Sequence, residues 1–402
     1  MRTAFLVSAL ALIVPTLSAP TSTVVPIAKR AGPVVPNSYI IKLKDGTSKS
    51  LVLNLLHTIS GFIITHDYCE LFHGFTSNLQ GDALAFVQKM PEVEHIEENG
   101  IFSLAEYEEV SGFDLTSPTA GAHHGQHDAL VARADSSSAN GSGTDIYAID
   151  TGVNVGHEDF GGRAHYGESF IEGESADDEN GHGTHTAATA AGKKFGVATG
   201  AKIIAVKVLD KRGSGETSGV ISGVCWAYGS FKKTKRPSVA TMSLGGPVSL
   251  SLNYAVKHAI KRGLHFTVAA GNENKLADDT SPANVEPANT VGAVDSNNQK
   301  ASFSNYGNFV DVWAPGVDIL SAWIGSSGAT KILSGTSMAT PHVAGILAVM
   351  LSRCENLNDP AILSEKLRKN AQENATFSNS AVAGGATPNK GIAQLWECEY
   401  YQ

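Results

Sequence analysis

The sequence predicts an α/β protein whose mainly parallel sheet carries helices on both faces, preceded by a small α+β unit of ferredoxin-like order. Three observations support this fold class. From residue 143 onward, short strands rich in β-branched residues alternate with longer helices, as in a parallel sheet covered on both sides. Residues 36–99 predict the order β-α-β-β-α-β. The helix that begins at Ser337 is apolar on every side from Val343 onward, as expected of a helix in a protein core.

The composition is that of a globular protein with a sizeable core. Of 402 residues, 42% are hydrophobic and 17% are charged, which suits one large domain and one smaller domain. The formal net charge is −9, and the sequence indicates no face on which Lys and Arg cluster. A nucleic-acid partner is therefore not expected.

The first 19 residues predict a secretory signal peptide. Arg2 precedes an almost wholly apolar run at 4–17, and the small residues Ser18 and Ala19 follow it. The run is too short to span a bilayer, and no later stretch reaches the required length. We therefore expect a secreted, extracellular protein with no membrane segment.

A compact front unit follows, with its structured core at 36–99. Its first strand alternates apolar and polar residues and ends in the turn Asp45-Gly46. A helix then extends to residue 60, and a second helix is predicted at 81–90. The strands are predicted at 38–43, 61–67, 71–79 and 93–96.

Residues 100–142 have the composition of a linker or processing region. Glutamates give way to Gly, Ser, Ala and His along this stretch. We place the boundary inside it, with 20–115 in the front unit and 116–402 in the main domain. Three histidines here could be interpreted as a metal cluster, but no structured element flanks them and the linker interpretation is preferred. They are His123, His124 and His127.

The main domain predicts five strands and five helices in alternation. Ligands of such sheets bind outside the carboxyl ends of the strands, so the residues that follow each strand matter most. The strands are predicted at 145–149, 202–208, 239–243, 264–269 and 308–313. The helices are predicted at 181–192, 216–228, 250–262, 337–351 and 360–369.

Chemically useful side chains stand at several of these ends. Asp150 closes the first strand, Asn272 follows another, and Ser337 lies at a helix N-terminus, where backbone N–H groups favour negative charge. His182 and His185 open one helix three positions apart, so spacing alone cannot choose between them. Each residue alone has an ordinary structural explanation, and zinc is disfavoured because no zincin glutamate pattern is present. Together they supply a nucleophile, a base, a carboxylate and an amide donor for acyl transfer.

Three motifs resemble the active-site signatures of the subtilases, and their order Asp, His, Ser is that of subtilisin. They are Asp-Thr-Gly at 150–152, His-Gly-Thr-His at 182–185 and Gly-Thr-Ser-Met-Ala-Thr-Pro-His at 335–342. The motifs at 302–307 and 314–316 are similar to the secreted fungal, proteinase K-like branch. The front unit, including Phe-His-Gly-Phe at 72–75, is similar to the subtilase inhibitor propeptide.

The resemblance implies a role for each residue of the candidate site. Asp150 would orient the imidazole, His182 would act as general base and then acid, and Ser337 would attack the carbonyl carbon. Asn272 would complete the oxyanion hole with the backbone N–H of Ser337. The choice of His182 over His185 follows from the family's use of the first histidine in this motif.

The resemblance also implies a substrate cleft and a structural metal. A substrate would lie as an extra strand between two backbone segments, and a roomy apolar pocket would favour large hydrophobic residues. A structural Ca²⁺ would be held by Asp311 with the carbonyls of Glu286 and Ala288, and catalysis would need no cofactor. The cleft residues are Gly213, Ser214 and Gly215 on one side, Ser243, Leu244 and Gly245 on the other, and Ala269, Ala270 and Gly271 at the pocket.

The chain departs from the family pattern at a few positions. Ala188 stands where the family usually has glycine, and the usual tryptophan-containing start of the mature domain is missing. These departures leave the processing site open, but they do not affect the catalytic positions.

The four cysteines have no metal-ligand spacing, and we predict a disulfide between Cys354 and Cys398. Removal of the segment that carries Cys69 would leave an odd number, so an unpaired or intermolecular thiol is expected. Asn140 and Asn374 begin glycosylation sequons.

These features together predict a secreted serine endopeptidase made as a self-processing zymogen. Its partners would be protein and peptide substrates and its own propeptide, which would serve as intramolecular inhibitor and folding aid, and we expect a monomer. The alternative is a catalytically silent, subtilase-like binding or antigenic protein. A serine esterase would need a Gly-x-Ser-x-Gly elbow and the order Ser, acid, His, and neither is present.

Overall fold

The computed structural model describes residues 24–104, 108–109, 140–377 and 389–398. The predicted signal peptide and the three histidines at 123, 124 and 127 lie outside these ranges. No helix in the described ranges is long and apolar enough to cross a membrane.

The front unit is a five-stranded sheet packed against two helices. The strand order is β1-β5-β2-β4-β3, and apolar side chains of both helices, among them Leu56 and Val87, meet those of the sheet in one core. The elements are β1 (Ile27–Ala28), β2 (Val34–Leu43), α1 (Lys49–Leu56), β3 (Ile63–Asp67), β4 (Gly74–Asn78), α2 (Gly81–Lys89) and β5 (Val93–Ser103).

The main domain is built on a nine-stranded sheet, in which every neighbouring pair except the edge pair β19–β20 is parallel. Its strands are β7 (Asp145–Asp150), β8 (Ala164–Ser169), β9 (Lys202–Lys207), β11 (Ser238–Met242), β13 (His265–Ala269), β15 (Asn289–Val294), β16 (Val312–Pro315), β19 (Gln372–Glu373) and β20 (Gly391–Ile392). Their spatial order is β19-β20-β16-β15-β13-β11-β7-β9-β8.

Within the described ranges, shorter strands and five helices complete the main domain. The strands are β6 (Glu108–Glu109), β10 (Ser214–Glu216), β12 (Gly246–Pro247), β14 (Thr280–Ser281), β17 (Ile319–Ala322) and β18 (Thr330–Ser334). The helices are α3 (His182–Ala191), α4 (Thr217–Thr234), α5 (Leu250–Lys261), α6 (Thr336–Arg353) and α7 (Pro360–Asn370), with 3₁₀ turns at Glu158–Phe160 and Ala277–Asp279.

The two faces of the large sheet carry separate apolar cores. Along β7, Ile146 and Ala148 belong to the core shared with α3 and α6, whereas Tyr147 and Ile149 belong to the core shared with α4 and α5. This alternation follows from the two-residue period of a strand. The predicted α/β class, with helices on both faces, is therefore confirmed.

Element bounds differ from the predictions in a few places. The strand predicted at 308–313 lies at Val312–Pro315, and the helix predicted at 216–228 continues to Thr234. Strand β15, in the middle of the sheet, has no counterpart in the prediction. The difference with the largest consequence is β5, which runs on to Ser103 instead of ending at residue 96, because its last residues pair with the main domain.

Two disulfides account for all four cysteines. Cys354 pairs with Cys398, as predicted, and fastens the C-terminal segment to the end of α6. Cys69 pairs with Cys225, which corrects the expectation of an unpaired or intermolecular thiol. That expectation failed because Cys69 lies in the front unit and Cys225 in α4, two segments that only the tertiary structure brings together.

Candidate active site

The predicted catalytic residues converge at the carboxyl edge of the large sheet. Asp150 is the last residue of β7, and His182 is the first residue of α3. Ser337 is the second residue of α6, and Asn272 follows the end of β13 by three residues. Parallel strands end at the same edge, so this convergence is a product of the topology.

Asp150 and His182 form a buried pair. The Nδ1 atom of His182 lies 2.8 Å from Oδ1 of Asp150, and both side chains are at most 2% exposed. The backbone N–H of Thr151 also donates to Asp150 Oδ1, at 2.8 Å, and the Thr186 hydroxyl donates to Oδ2 at 3.3 Å. The carboxylate is thus fixed from several sides and holds one nitrogen of the imidazole.

Ser337 lies in the first turn of α6. Its hydroxyl donates to the carbonyl of Ser243 at 3.1 Å, while the Ser243 hydroxyl donates to the Ser337 carbonyl at 2.9 Å. The helix begins after Gly335, so the N–H of Ser337 is among the first-turn groups that have no carbonyl one turn earlier in the helix. A negative charge that forms beside Ser337 would meet donors of this kind and the positive end of the helix dipole.

Asn272 is held at the start of α6 by Thr336. Its Oδ1 accepts hydrogen bonds from the N–H and the hydroxyl of Thr336, at 2.9 and 2.8 Å. With the oxygen occupied in this way, Nδ2 is the donor end, and it lies 3.2 Å from where a Cβ on Gly335 would stand. The position of Asn272 is therefore compatible with the oxyanion role implied by the resemblance.

The loop that carries Asn272 is fastened by Asn305. The amide of Asn305 donates to the carbonyl of Ala270 at 2.9 Å and its Oδ1 accepts from the N–H groups of Glu273 and Lys275. Gly271 has φ of 104° and a Cβ there would approach Asn305 Nδ2 to 2.3 Å, so only glycine fits.

Asp178 is an organising residue that the sequence analysis missed. Its Oδ1 accepts from the Thr151 hydroxyl and from the N–H of Gly181, both at 2.8 Å, and its Oδ2 accepts from Thr184 at the start of α3. It therefore caps the helix of His182 and links it to the segment after Asp150. The available signal was an acidic residue four positions before a histidine that opens a helix.

His185 and His342 have structural environments. The Nε2 of His185 contacts the carbonyls of Ile319 and Lys331 at 3.0 and 3.1 Å, away from Asp150. Burial lowers the pKa of His342 to about 4, although the hydrogen bond to the Met338 carbonyl acts in the opposite direction. The structure thus separates His182 from His185, which spacing alone could not do.

The two predicted cleft segments flank a strand of the front unit. Strand β10 pairs antiparallel with the end of β5, and on the other side Ser103 pairs with Gly245. The N–H of Leu104 donates to the carbonyl of Gly213 at 2.8 Å. Residues 101–104 therefore lie where a substrate strand was predicted, with backbone hydrogen bonds that do not depend on side-chain identity.

The remaining cleft residues lie at the carboxyl end of β13. Ala269 and Ala270 are buried there, and their side chains, like that of Gly271, are small. On the other side, Phe102 is fully buried over Gly246, where an added Cβ would approach its ring to 2.9 Å.

Comparisons with known proteins agree with this geometry. A profile of the subtilase family matches residues 141–387. The chain belongs to the subtilase family. This subtilase is a serine endopeptidase, which sets aside the catalytically silent alternative.

Its relatives include several fungal proteases. A cuticle-degrading serine protease of Arthrobotrys oligospora is 38% identical over 383 residues, covering 89% of each chain. A subtilisin-like serine protease of Rhodotorula mucilaginosa is 47% identical, covering 69% of this chain and 82% of its own. A cold-adapted subtilisin-like serine proteinase of known structure is 46% identical with a TM-score of 0.58, over 65% of this chain and 92% of its own.

The predicted calcium ligand Asp311 already has a cationic neighbour. Arg368 of α7 donates to its Oδ1 at 3.1 Å, and the N–H of Thr290 donates to its Oδ2 at 2.9 Å. Burial raises the pKa of Asp311 to about 6, and these two donors only partly offset that effect. The ligand set suits calcium in kind, because it consists of oxygen atoms, but Arg368 takes one of the two carboxylate oxygens.

The two sequons differ in accessibility. Asn374 is exposed next to β19, whereas Asn140 is half-buried against Gly200. Glycosylation stays a prediction at both, with Asn374 the more accessible acceptor.

Proposed function

We propose that this subtilase is secreted as a self-processing zymogen and that its catalytic residues have the roles implied by the family. Ser337 Oγ attacks the carbonyl carbon while His182 accepts its proton and Asp150 holds the other imidazole nitrogen. The tetrahedral oxyanion takes hydrogen bonds from Asn272 Nδ2 and the N–H of Ser337. His182 then gives its proton to the leaving amine, and water hydrolyses the acyl-enzyme.

One observation carries the zymogen proposal. The end of β5 lies between β10 and Gly245, so the protein's own chain fills the cleft that would receive a substrate. A front unit that is bound there inhibits by occupying the cleft.

The front unit also caps two helices of the peptidase domain. Asn99 accepts from the N–H of Ser218 at 3.0 Å, and Glu97 accepts from the N–H of Ser251 at 2.8 Å, each near a helix N-terminus. Removing the unit returns these groups to water, so its docking favours the folded arrangement of α4 and α5. This supports a folding role beside inhibition.

The register indicates where processing occurs. Ser103 faces Gly245 in an antiparallel register. If a substrate strand keeps that register, the bond cut by Ser337 follows the position two residues beyond Ser103, opposite Ser243. We therefore expect cleavage after Ala105. This bond precedes the domain boundary predicted from the sequence at 115/116, and that boundary stays a prediction. N-terminal sequencing of secreted protein should read Glu-Tyr-Glu-Glu.

Specificity for large apolar residues is supported by the bound strand. Phe102 is fully buried, and Leu104 packs so closely on Gly213 that an added Cβ would approach it to 2.7 Å. Full burial of a side chain such as Phe102 contributes about 1.5–3 kcal/mol, and the partly buried Leu104 contributes less. Substrates with large apolar residues at these positions should be preferred.

The test is a pair of serine variants on one helix. Ser337→Ala should lose casein hydrolysis and retain the front unit in one chain. Ser352→Ala, also on α6, should hydrolyse casein and be processed as the wild type is. Mature-sized Ser337→Ala protein, produced in a host without another protease, would contradict self-processing.

A further inference from the structure

The disulfide between Cys69 and Cys225 joins the front unit to the peptidase domain. Cys69 lies between β3 and β4 of the front unit, and Cys225 lies in α4, 156 positions away. The processing bond lies between these cysteines in the sequence. Cutting the chain therefore separates the two units in the backbone and leaves them joined through sulfur.

The bond lies near exposed residues at the contact between the units. Cys225 is only 8% exposed, and Cys69 is partly buried but more exposed than Cys225. The flanking Glu70 forms an exposed ion pair with Lys232 of α4 at 2.8 Å. On the inner side Phe72 packs edge-on against Tyr254, with ring centroids 5.9 Å apart.

We propose that Cys69–Cys225 is a thiol-exchange site that keeps the inhibitory front unit on the processed peptidase until a thiol reductant cuts the bond. This inference rests on the proposed zymogen function. The disulfide persists in an oxidising medium outside the cell, so processing alone does not free the cleft. Release requires a second, chemically different event.

The exchange needs two equivalents of a thiol. A thiolate attacks Sγ of Cys69, the more exposed of the two residues, forms a mixed disulfide there and releases the Cys225 thiolate, which takes a proton. A second thiolate attacks the outer sulfur of the mixed disulfide, so that the Cys69 thiolate leaves and takes a proton while the reductant departs as its own disulfide. Two electrons pass from two thiols to the protein.

The tether changes inhibition from a bimolecular to an intramolecular event. A short connection holds the inhibitor at an effective concentration on the order of millimolar, whatever the dilution of the enzyme. After reduction, the unit competes only at its bulk concentration. In nanomolar enzyme the increase in activity should be on the order of 10²-fold or more.

The first experiment detects the bond without catalysis. Full-length Ser337→Ala protein is alkylated and digested with trypsin without reductant, and the peptides are identified by mass spectrometry. A linked pair of 50–89 and 213–232 is expected. Its absence, with Cys69 and Cys225 both alkylated, would overturn the inference.

The second experiment measures control of activity. Processed wild-type protein should hydrolyse a peptide anilide slowly, and glutathione should raise the rate. The Cys69→Ser/Cys225→Ser double variant should be fast from the start and indifferent to glutathione. The matched Cys354→Ser/Cys398→Ser double variant should respond as wild type does.

The two experiments separate the possible failures. A linked peptide in a protein that never cuts any substrate would count against the proposed function but not against the disulfide link between the two units. Wild-type activity that equals that of the Cys69→Ser/Cys225→Ser variant before any thiol is added would overturn the redox control.

Discussion

At the scale of single residues, the orientation of Asn272 decides what it can do. Thr336 holds its oxygen with two hydrogen bonds, and the amide nitrogen lies near Gly335. This arrangement is compatible both with a structural turn residue and with a donor to a developing oxyanion, and the kinetics of variants distinguish the two roles.

Asn272→Ala should lower kcat and leave KM nearly unchanged, because such a donor acts only where charge develops. The expected loss is roughly 10²–10³-fold, the size known for this donor in the relative subtilisin. Asn272→Asp should be worse near neutral pH, because a carboxylate repels the oxyanion and cannot donate. Kinetics on a peptide anilide measure both. If the alanine variant stays within about threefold of wild type, Asn272 is only a turn residue, and its loss should cost about 1 kcal/mol of stability.

The two histidines of the motif should behave differently. His182→Ala should lower kcat by about 10⁴-fold or more, because His182 contacts Asp150. His185→Ala should leave kcat within about fivefold and lower the free energy of unfolding by about 1–3 kcal/mol, because a buried polar contact is lost. Equal loss of activity in both variants, with intact melting curves, would contradict this assignment.

At the scale of elements, helix α7 supplies the positive charge beside Asp311 that a calcium ion was predicted to supply. Arg368 reaches Asp311 from this helix, so the carboxylate has a partner without a metal. We propose that Ca²⁺, if it binds, competes with Arg368 and acts on stability rather than on chemistry.

Arg368→Ala should therefore increase the stabilisation by calcium. Without the guanidinium, Asp311 has both oxygens available to a cation, and an ion that binds only the folded state raises Tm by mass action. Melting with calcium and with chelator, for wild type, Arg368→Ala and Asp311→Asn, gives the comparison. A calcium response that survives unchanged in Asp311→Asn would place the ion elsewhere.

At the scale of the whole molecule, Glu97 couples the two units through a buried charge. Burial by itself would raise its pKa, but hydrogen bonds from His95, Ser251 and Ser249 more than offset this, and the pKa falls to about 2. Arg30 adds an ion pair at 3.1 Å with both side chains at most 2% exposed. The ion pair lies within the front unit, and Glu97 reaches the main domain through the N–H and hydroxyl of Ser251.

The low pKa of Glu97 predicts acid sensitivity of the zymogen. A carboxyl whose folded pKa is depressed contributes stability that is complete above its unfolded pKa near 4.5 and is lost as pH falls toward 2. In the Ser337→Ala background, Glu97→Gln should lower Tm at pH 6, and the difference between the two proteins should shrink between pH 4.5 and 2. A Tm difference that does not change with pH would contradict this role of Glu97.

Much of the catalytic site could be predicted from the sequence, because its parts are local. Asp150 ends a strand, His182 and Ser337 begin helices, and the patterns that place those ends are short-range. Parallel topology then brings the ends to one edge of the sheet, so a correct prediction of the fold class also predicts where the site lies.

Tertiary structure alone decided the contacts between distant segments. The pairing of β5 with β10, the bond between Cys69 and Cys225, and the approach of Arg368 to Asp311 each join residues far apart in the sequence. Hydrophobic periodicity carries no information about such partners, because it reports only which face of an element is buried. The sequence by itself therefore determined the catalytic chemistry of this protein. The docking of its two units determined which segment lies in the cleft and which disulfide joins the units.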